Sequence, residues 1–432
     1  MLRVVDKRTG GYCDGVSRRS FLTVGAMGLG FGSLTMADML RLEAATGAKS
    51  AKSIINVHLG GGPSHQDMWD LKPNAAVEYR GDFNPIKTNV PGLEICEHFP
   101  TLATMAEKFA VIRALVGSVN EHSPSTTQTG YGQREFNSIG GPPAIGSVIS
   151  KLQGFNNGVA PFVSDGVSMK PGYLGPKFKA FSPTEAQSML QLKHIDSDRL
   201  TNRANLLKSV DSIRREADAS GQFTAADSFT QQAVDVVLSG KMSDALDLNK
   251  ETDEIRRRYT GGQTSGRYRD NERFLRARRL VEAGVRCVSL SWGGWDTHGN
   301  NFKSLKDQLP ALDRGLSALI TELDERGMLN DVTIAVWGEF GRTPRVNSGG
   351  GRDHWPKVAA AFLAGGGIRG GQAVGESDRI AGEAQNRPVH VHEVIATLYN
   401  NVGIDTRTTQ IIDPAGRPRY LLEHREPIRE LV

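Results

Sequence analysis

Short apolar runs, most of them closed by glycine, are the feature that most constrains the fold of this chain. Five runs are rich in Val, Ile, Leu and Ala and have the length of a buried strand: they span 53–59, 109–116, 285–292, 332–337 and 358–364. Amphipathic segments lie between them, such as 305–326, where leucines recur at three- and four-residue steps. This alternation predicts an α/β fold with a mainly parallel central sheet covered by helices on both faces.

The stretch 183–280 differs from the rest of the chain. It is charged, helix-prone and nearly free of strand-like runs. We interpret it as a helical insertion in an α/β domain that spans 50–432.

The N-terminal segment carries an export pattern. Two arginines, Arg18 and Arg19, stand directly before an uncharged, glycine-rich apolar stretch at 23–37. An ordinary basic segment before a buried helix is disfavoured, because this stretch is too rich in glycine for a stable core helix. The pattern predicts a twin-arginine signal over 1–45, with the twin-arginine export machinery as partner and a periplasmic or extracellular location.

Composition restricts the class of protein further. The net charge is +4, and the segment 1–45 carries about half of it. The small positive charge on the rest of the chain does not indicate binding to nucleic acid. No segment after the signal approaches the length of a membrane span, so we expect a mature chain without a stable one. Cys96 and Cys287 lack metal-ligand spacing, and either one disulfide or two buried thiols would suit them.

Polar side chains suited to metal binding follow the strand-like runs. Loops after parallel strands meet at one edge of the sheet, so these residues are expected to converge. Imidazole nitrogen and carboxylate oxygen together are the ligands of a divalent ion in metal hydrolases. The candidates are His65, Asp67, Asp70, His122, Asp296, His298, Glu339, Asp353, His354, His390, His392 and Glu393.

Five sequence blocks carry a resemblance to a known family. In chain order they are Gly-Gly-Gly-Pro-Ser-His-Gln-Asp at 60–67, His-Ser-Pro-Ser-Thr at 122–126, Trp-Asp-Thr-His-Gly-Asn at 295–300, Glu-Phe-Gly-Arg-Thr-Pro at 339–344 and Arg-Asp-His-Trp at 352–355. Their order resembles the bacterial family called domain of unknown function 1501. That family is similar in fold to the alkaline phosphatase and sulfatase superfamily.

The resemblance implies a set of metal ligands. It places the early aspartate on Asp67, an Asp-His pair on Asp296 and His298, and an adjacent Asp-His on Asp353 and His354. The final histidine is His390 or His392, and Glu339 is either a ligand or a group that orients Arg342. The implied cofactor is one divalent ion or two, with Zn, Ca, Mg and Mn all open.

The same resemblance leaves the attacking group open. Where sulfatases have their cysteine, this chain has His122, so the candidate nucleophiles are Ser123, Ser125 and Thr126. A helix N-cap or turn hydroxyl is the competing interpretation of each, and a metal-bound water is an alternative attacking group. Arg342 and Arg352 suit an anionic ester, because a guanidinium fork matches two oxyanion oxygens; salt bridges between neighbouring loops are the competing role.

These observations predict an exported, metal-dependent hydrolase of the alkaline phosphatase and sulfatase class. Its substrate would be a phosphate or sulfate ester of a small molecule or polysaccharide. The alternative from another class is a non-catalytic extracytoplasmic binding protein on the same fold. Lack of a clear nucleophile favours the binding protein, whereas the Asp and His set favours the enzyme.

Overall fold

The computed structural model describes residues 52–137, 140–155, 158–184 and 239–432. The predicted export signal at 1–45 lies outside the described residues, as does the part of the predicted helical insertion from 185 to 238.

Sixteen strands are present in the described residues. In chain order they are β1 Ser53–His58, β2 Pro85–Lys87, β3 Glu94–Cys96, β4 Phe109–Val116, β5 Phe162–Asp165, β6 Cys287–Ser291, β7 Val332–Trp337, β8 Gly341–Arg342, β9 His354–Trp355, β10 Ala359–Gly365, β11 Gln372–Val374, β12 Glu376–Ser377, β13 Ala384–Asn386, β14 Val389–His390, β15 Gln410–Ile412 and β16 Pro418–Tyr420.

Ten α-helices occur in the same part of the chain. They are α1 Val77–Arg80, α2 Pro100–Ala103, α3 Ser125–Thr129, α4 Ile145–Gln153, α5 Lys241–Leu246, α6 Asp253–Thr260, α7 Gly266–Asp270, α8 Glu272–Glu282, α9 Asn301–Glu325 and α10 Val391–Asn401. Helices α5 to α7 and most of α8 fall within 183–280, the stretch predicted to be a helical insertion.

The central sheet contains eight strands in the order β11, β4, β10, β7, β1, β6, β5, with β14 pairing the end of β4. Every neighbouring pair is parallel except the two made by β10, which runs antiparallel to β4 and β7. The mainly parallel sheet predicted from the sequence is confirmed, and each predicted apolar run forms one of its strands.

Helices cover both faces of the sheet. Successive strand residues point to opposite faces, so Ile55 packs with α8 and α9 while Ile54 packs with α4 and α10. The predicted helix at 305–326 is α9, and its regularly spaced leucines are all buried. These are Leu309, Leu312, Leu316, Leu319 and Leu323.

The sheet brings four loops to one edge. Strands β1, β4, β6 and β7 all run in one direction, so the segments after His58, Val116, Ser291 and Trp337 leave from the same side. Because β10 returns antiparallel, the chain just before it also lies at this edge.

Cys96 and Cys287 are buried free thiols in opposite core layers. Of the two states left open by the sequence, one disulfide or two buried thiols, the structure therefore has the two thiols. Among the described residues no helix is long and apolar enough to cross a membrane.

Candidate metal centre

Three side-chain atoms converge at the carboxyl edge of the sheet. Asp296 Oδ1 lies 3.0 Å from His298 Nε2 and 3.1 Å from His354 Nε2, and the two nitrogens are 3.0 Å apart. Two of these residues follow β6, and His354 precedes β10. Ligands about 2.0 Å from a tetrahedral Zn²⁺ are separated by about 3.3 Å, so the spacing is close to one face of such a site.

The other ring nitrogens show that all three converging atoms are acceptors. His298 Nδ1 lies 2.7 Å from Asp353 Oδ1, and His354 Nδ1 lies 2.7 Å from Asn120 Oδ1. These oxygens accept hydrogen bonds, so each imidazole carries its proton on Nδ1 and presents a lone pair at Nε2. A carboxylate oxygen also only accepts. With these tautomers, three acceptors face one another at about 3 Å, an arrangement that a cation between them stabilises, and a divalent metal ion suits the imidazole and carboxylate donors.

His122 adds a third imidazole to this cluster. Its Nε2 lies 3.4 Å from Asp296 Oδ2, and its Nδ1 lies 3.5 Å from Glu339 Oε1. His122, Asp296 and His354 each offer a ligand atom, and these atoms lie within 4.8 Å of one another. We refer to Asp296, His298, His354 and His122 as the metal cluster. His122 was among the candidate metal-binding side chains that follow a strand, but the family resemblance placed it at the nucleophile position of sulfatases and left it out of the implied ligand set.

Electrostatics keep the central carboxylate ionised. Partial burial acts to raise the pKa of Asp296, but the hydrogen bond and positive charge of Arg342, together with the neighbouring His354 and His298, outweigh it and hold the pKa at about 2. A hydrogen bond to His298 lowers the pKa of Asp353 as well. Burial lowers the pKa of His354, which keeps its ring neutral and able to bind a metal.

Glu339 lies behind His122, out of solvent. Its Oε1 accepts a hydrogen bond of 2.8 Å from the Gly61 amide, and its Oε2 lies 3.7 Å from His58 Nε2 without a hydrogen-bond partner. Burial raises the pKa of Glu339 and lowers that of His58 to about 4. Glu339 therefore faces His122 and His58 and makes no hydrogen bond to Arg342, so the contacts do not support its expected role of orienting that guanidinium. Its other expected role, as a metal ligand, stays a prediction.

Both candidate arginines, Arg342 and Arg352, are fully buried. Arg342 is fully buried and donates to the carbonyl oxygens of Gly61, Gly62, Trp295 and Arg352 and to Asp296. A guanidinium with its donors committed in this way has no fork to offer a substrate, which favours the competing structural role over the expected hold on an anionic ester.

Asp67 does not join the metal cluster. Its two carboxylate oxygens lie 2.8 and 2.9 Å from Nε and Nη2 of Arg352, and Asn301 and Ser64 donate to it as well. Both side chains of the ion pair are fully buried. Both oxygens are already neutralised by Arg352, which argues against the ligand role expected for Asp67. His390 and His392 also lie apart from the metal cluster, at the start of α10.

None of the three candidate hydroxyls is presented as a nucleophile. Ser123 Oγ accepts from the Ser125 amide at 3.2 Å, the turn hydroxyl that was its competing interpretation. Ser125 and Thr126 are buried, and their hydroxyls have no hydrogen-bond partner. Within the described chain no hydrogen bond links these three hydroxyls to the metal cluster.

Fold and site together define an α/β protein with a candidate metal centre at the carboxyl edge of a mainly parallel sheet. The family described as "Protein of unknown function (DUF1501)" matches residues 51–432, and the chain belongs to that family. No curated protein matches the chain by sequence.

Several solved structures are similar over most of the chain. PsFucS1 sulfatase from Pseudoalteromonas sp. is 12% identical, with 88% of this chain and 74% of that one covered and a TM-score of 0.38. Phosphonate monoester hydrolase SpPMH from Silicibacter pomeroyi is 12% identical, with coverage of 82% and 73% and a TM-score of 0.33. The lipoteichoic acid synthase LtaP from Listeria monocytogenes is 9% identical, with coverage of 83% and 74% and a TM-score of 0.34.

Proposed function

We propose that this protein is an exported, metal-dependent hydrolase of phosphate or sulfate esters. The observation that carries the proposal is the convergence of Asp296 Oδ1, His298 Nε2 and His354 Nε2 as three mutually facing acceptors. A divalent ion bound there supplies Lewis-acid polarisation of an ester oxygen and a more acidic bound water.

The residues around the metal cluster fix its ligands. Asp353 and Asn120 hold the protons on the Nδ1 atoms of His298 and His354, which aims the Nε2 lone pairs at Asp296. Glu339 lies beside Nδ1 of His122 and favours the same tautomer there. The ligand set is therefore oriented by its surroundings.

Access to the metal cluster is from one side. The side chains of His122, Asp296 and His298 are 48%, 45% and 47% exposed, whereas Glu339 and Arg342 behind them are buried. An ester would approach over the three exposed side chains. In the described part of the chain Ser123, Ser125 and Thr126 are buried and make no hydrogen bond to the metal cluster, so we propose water as the attacking group.

A binding protein on the same fold is the second candidate. It is favoured by the buried hydroxyls and by the committed donors of Arg342, because neither an obvious nucleophile nor an arginine clamp faces the exposed side. Its ligand would be a polysaccharide or another component of the cell envelope.

The test is metal analysis of purified, exported protein together with turnover of aryl phosphates and aryl sulfates. We expect stoichiometric divalent metal in the wild type and its loss in a His298→Ala, His354→Ala double variant. His98→Ala is the control, since this histidine packs on Phe83 away from the metal cluster. Bound metal without turnover on any ester would favour the binding protein over the hydrolase. Absence of bound metal would reject the metal centre itself, and with it the proposed hydrolase.

Export through the twin-arginine machinery is a separate part of the proposal. It is supported by the Arg18-Arg19 pair before a glycine-rich apolar stretch. Replacing both arginines by lysine should leave the protein in the cytoplasmic fraction; secretion unchanged by that replacement would contradict it.

A further inference from the structure

The segment 117–130 after β4, which we call the site loop, carries two side chains that face the metal cluster. Asn120 Oδ1 lies 2.7 Å from His354 Nδ1, and His122 Nε2 lies 3.4 Å from Asp296 Oδ2. Both contacts depend on the position of the site loop, which is set by the residues packed against its two ends.

The first end of the site loop meets His390. Strand β14 pairs in parallel with the end of β4, so that His390 lies opposite Val116, one residue before the loop begins. Gly117 follows with φ +88°, and a Cβ built there would lie 2.4 Å from His390 Nε2. The imidazole therefore occupies the space where any other residue would place a side chain.

The second end meets His392 in the same helical turn. His392 Nε2 lies 2.9 Å from the carbonyl oxygen of Gly130, which can only accept, so Nε2 is the donor. A Cβ on Gly130 would lie 2.7 Å from His392 Cδ2. The remaining ring nitrogen, Nδ1, accepts from the backbone amide of His424 at 3.4 Å.

The turn that carries both histidines is itself held in place. His390 Nδ1 accepts from the His392 amide at 3.2 Å, and Glu393 accepts from the His390 amide at 2.9 Å, which closes a capping box at the start of α10. Arg387 donates to both Glu393 and Glu430. One turn of helix thus supports both ends of the site loop.

The geometry points to His390 and His392 as positioning residues that hold the site loop and so set Asn120 and His122 against the metal cluster. This is a different role from the metal ligation that the sequence suggested for them. Removing the His392 ring leaves the Gly130 carbonyl without its donor and opens a gap beneath the end of the site loop.

The experiment compares His392→Ala with His392→Gln, whose amide can restore the donor. Hydrogen exchange of the peptide covering 117–130 is measured in the metal-free protein, and Zn²⁺ affinity is measured by competition with a chromophoric chelator. We expect faster exchange and about tenfold weaker binding in the alanine variant, the lower end of what lost support for metal ligands costs. Glutamine should recover most of both effects.

Val402→Ala is the matched control, because Val402 is buried just after the other end of α10. It should lower stability without changing exchange in the site loop or Zn²⁺ affinity. If His392→Ala does not fold, His390→Ala is measured in the same way. The inference would be overturned if hydrogen exchange of 117–130 in His392→Ala were as slow as in the wild type. It would also be overturned if Val402→Ala changed exchange and Zn²⁺ affinity as much as His392→Ala does.

The affinity measurement rests on the proposed function, whereas the exchange measurement does not. A wild-type protein that binds no Zn²⁺ would therefore reject the metal centre, and the exchange comparison alone would then decide whether the two histidines hold the site loop.

Discussion

Replacing Asp67 by asparagine should destabilise the protein and leave its metal content unchanged. Asp67 and Arg352 form a fully buried ion pair, with Nε and Nη2 of the guanidinium 2.8 and 2.9 Å from the two carboxylate oxygens. Asparagine keeps the volume but removes the charge. The guanidinium is then left in the interior without a counter-charge.

The magnitude follows from the remaining partners of Arg352. Breaking a buried pair by removing one partner costs about 3–5 kcal/mol. Arg352 also donates to the backbone carbonyls of Thr343, Pro344 and Tyr79, which stay in place. We therefore expect a loss near the lower end, about 3 kcal/mol of unfolding free energy.

Urea unfolding of Asp67→Asn and wild type, with metal analysis of both, is the assay. Asp405→Asn is the control, because the exposed pair of Asp405 with Arg407 should contribute only about 0–1 kcal/mol. If Asp67 were a metal ligand, the variant would lose metal at nearly unchanged stability. That result would refute the assignment of Asp67 to a structural ion pair.

Three further predictions concern metal choice, ligand support and pH. The three imidazoles of the metal cluster should favour Zn²⁺ over Ca²⁺ in equilibrium dialysis of the metal-free protein, since Ca²⁺ prefers oxygen ligands; tighter Ca²⁺ binding would contradict the ligand set. Asp353→Asn should weaken Zn²⁺ binding about 10- to 100-fold without abolishing it; complete loss in a chelator competition would instead make Asp353 a direct ligand. Burial lowers the pKa of His392 to about 4, so the unfolded chain binds more protons between pH 6.5 and 4 and stability should fall as pH falls through that window. His392→Gln should flatten this fall in urea midpoints, and an unchanged pH profile would count against a neutral, buried His392.

The fold could be predicted because its signals are local. Each apolar run from 53–59 to 358–364 has the length and composition of a buried strand, and the leucines of α9 repeat along one helix face. The antiparallel direction of β10 could not be predicted, because an apolar run carries no sign of its orientation. It depends on the loop between β7 and β10 returning the chain to the same edge.

The site was predicted in part. Asp296 and His298 follow β6 and His354 precedes β10, and the three come together because those strand ends lie at the same edge of the sheet, with β1 and β7 between them. The pairing of Asp67 with Arg352 spans 285 residues, and its geometry follows from no local pattern. Whether a carboxylate near a strand end faces a metal site or an arginine depends on which distant residue the tertiary fold places beside it.

The metal centre is tested most directly by anomalous diffraction at the zinc absorption edge from crystals of the purified protein grown with Zn²⁺. We expect one strong peak about 2.0–2.2 Å from Asp296 Oδ1, His298 Nε2 and His354 Nε2. Absence of a peak among these three atoms, or a peak beside Asp67 instead, would contradict the central claim.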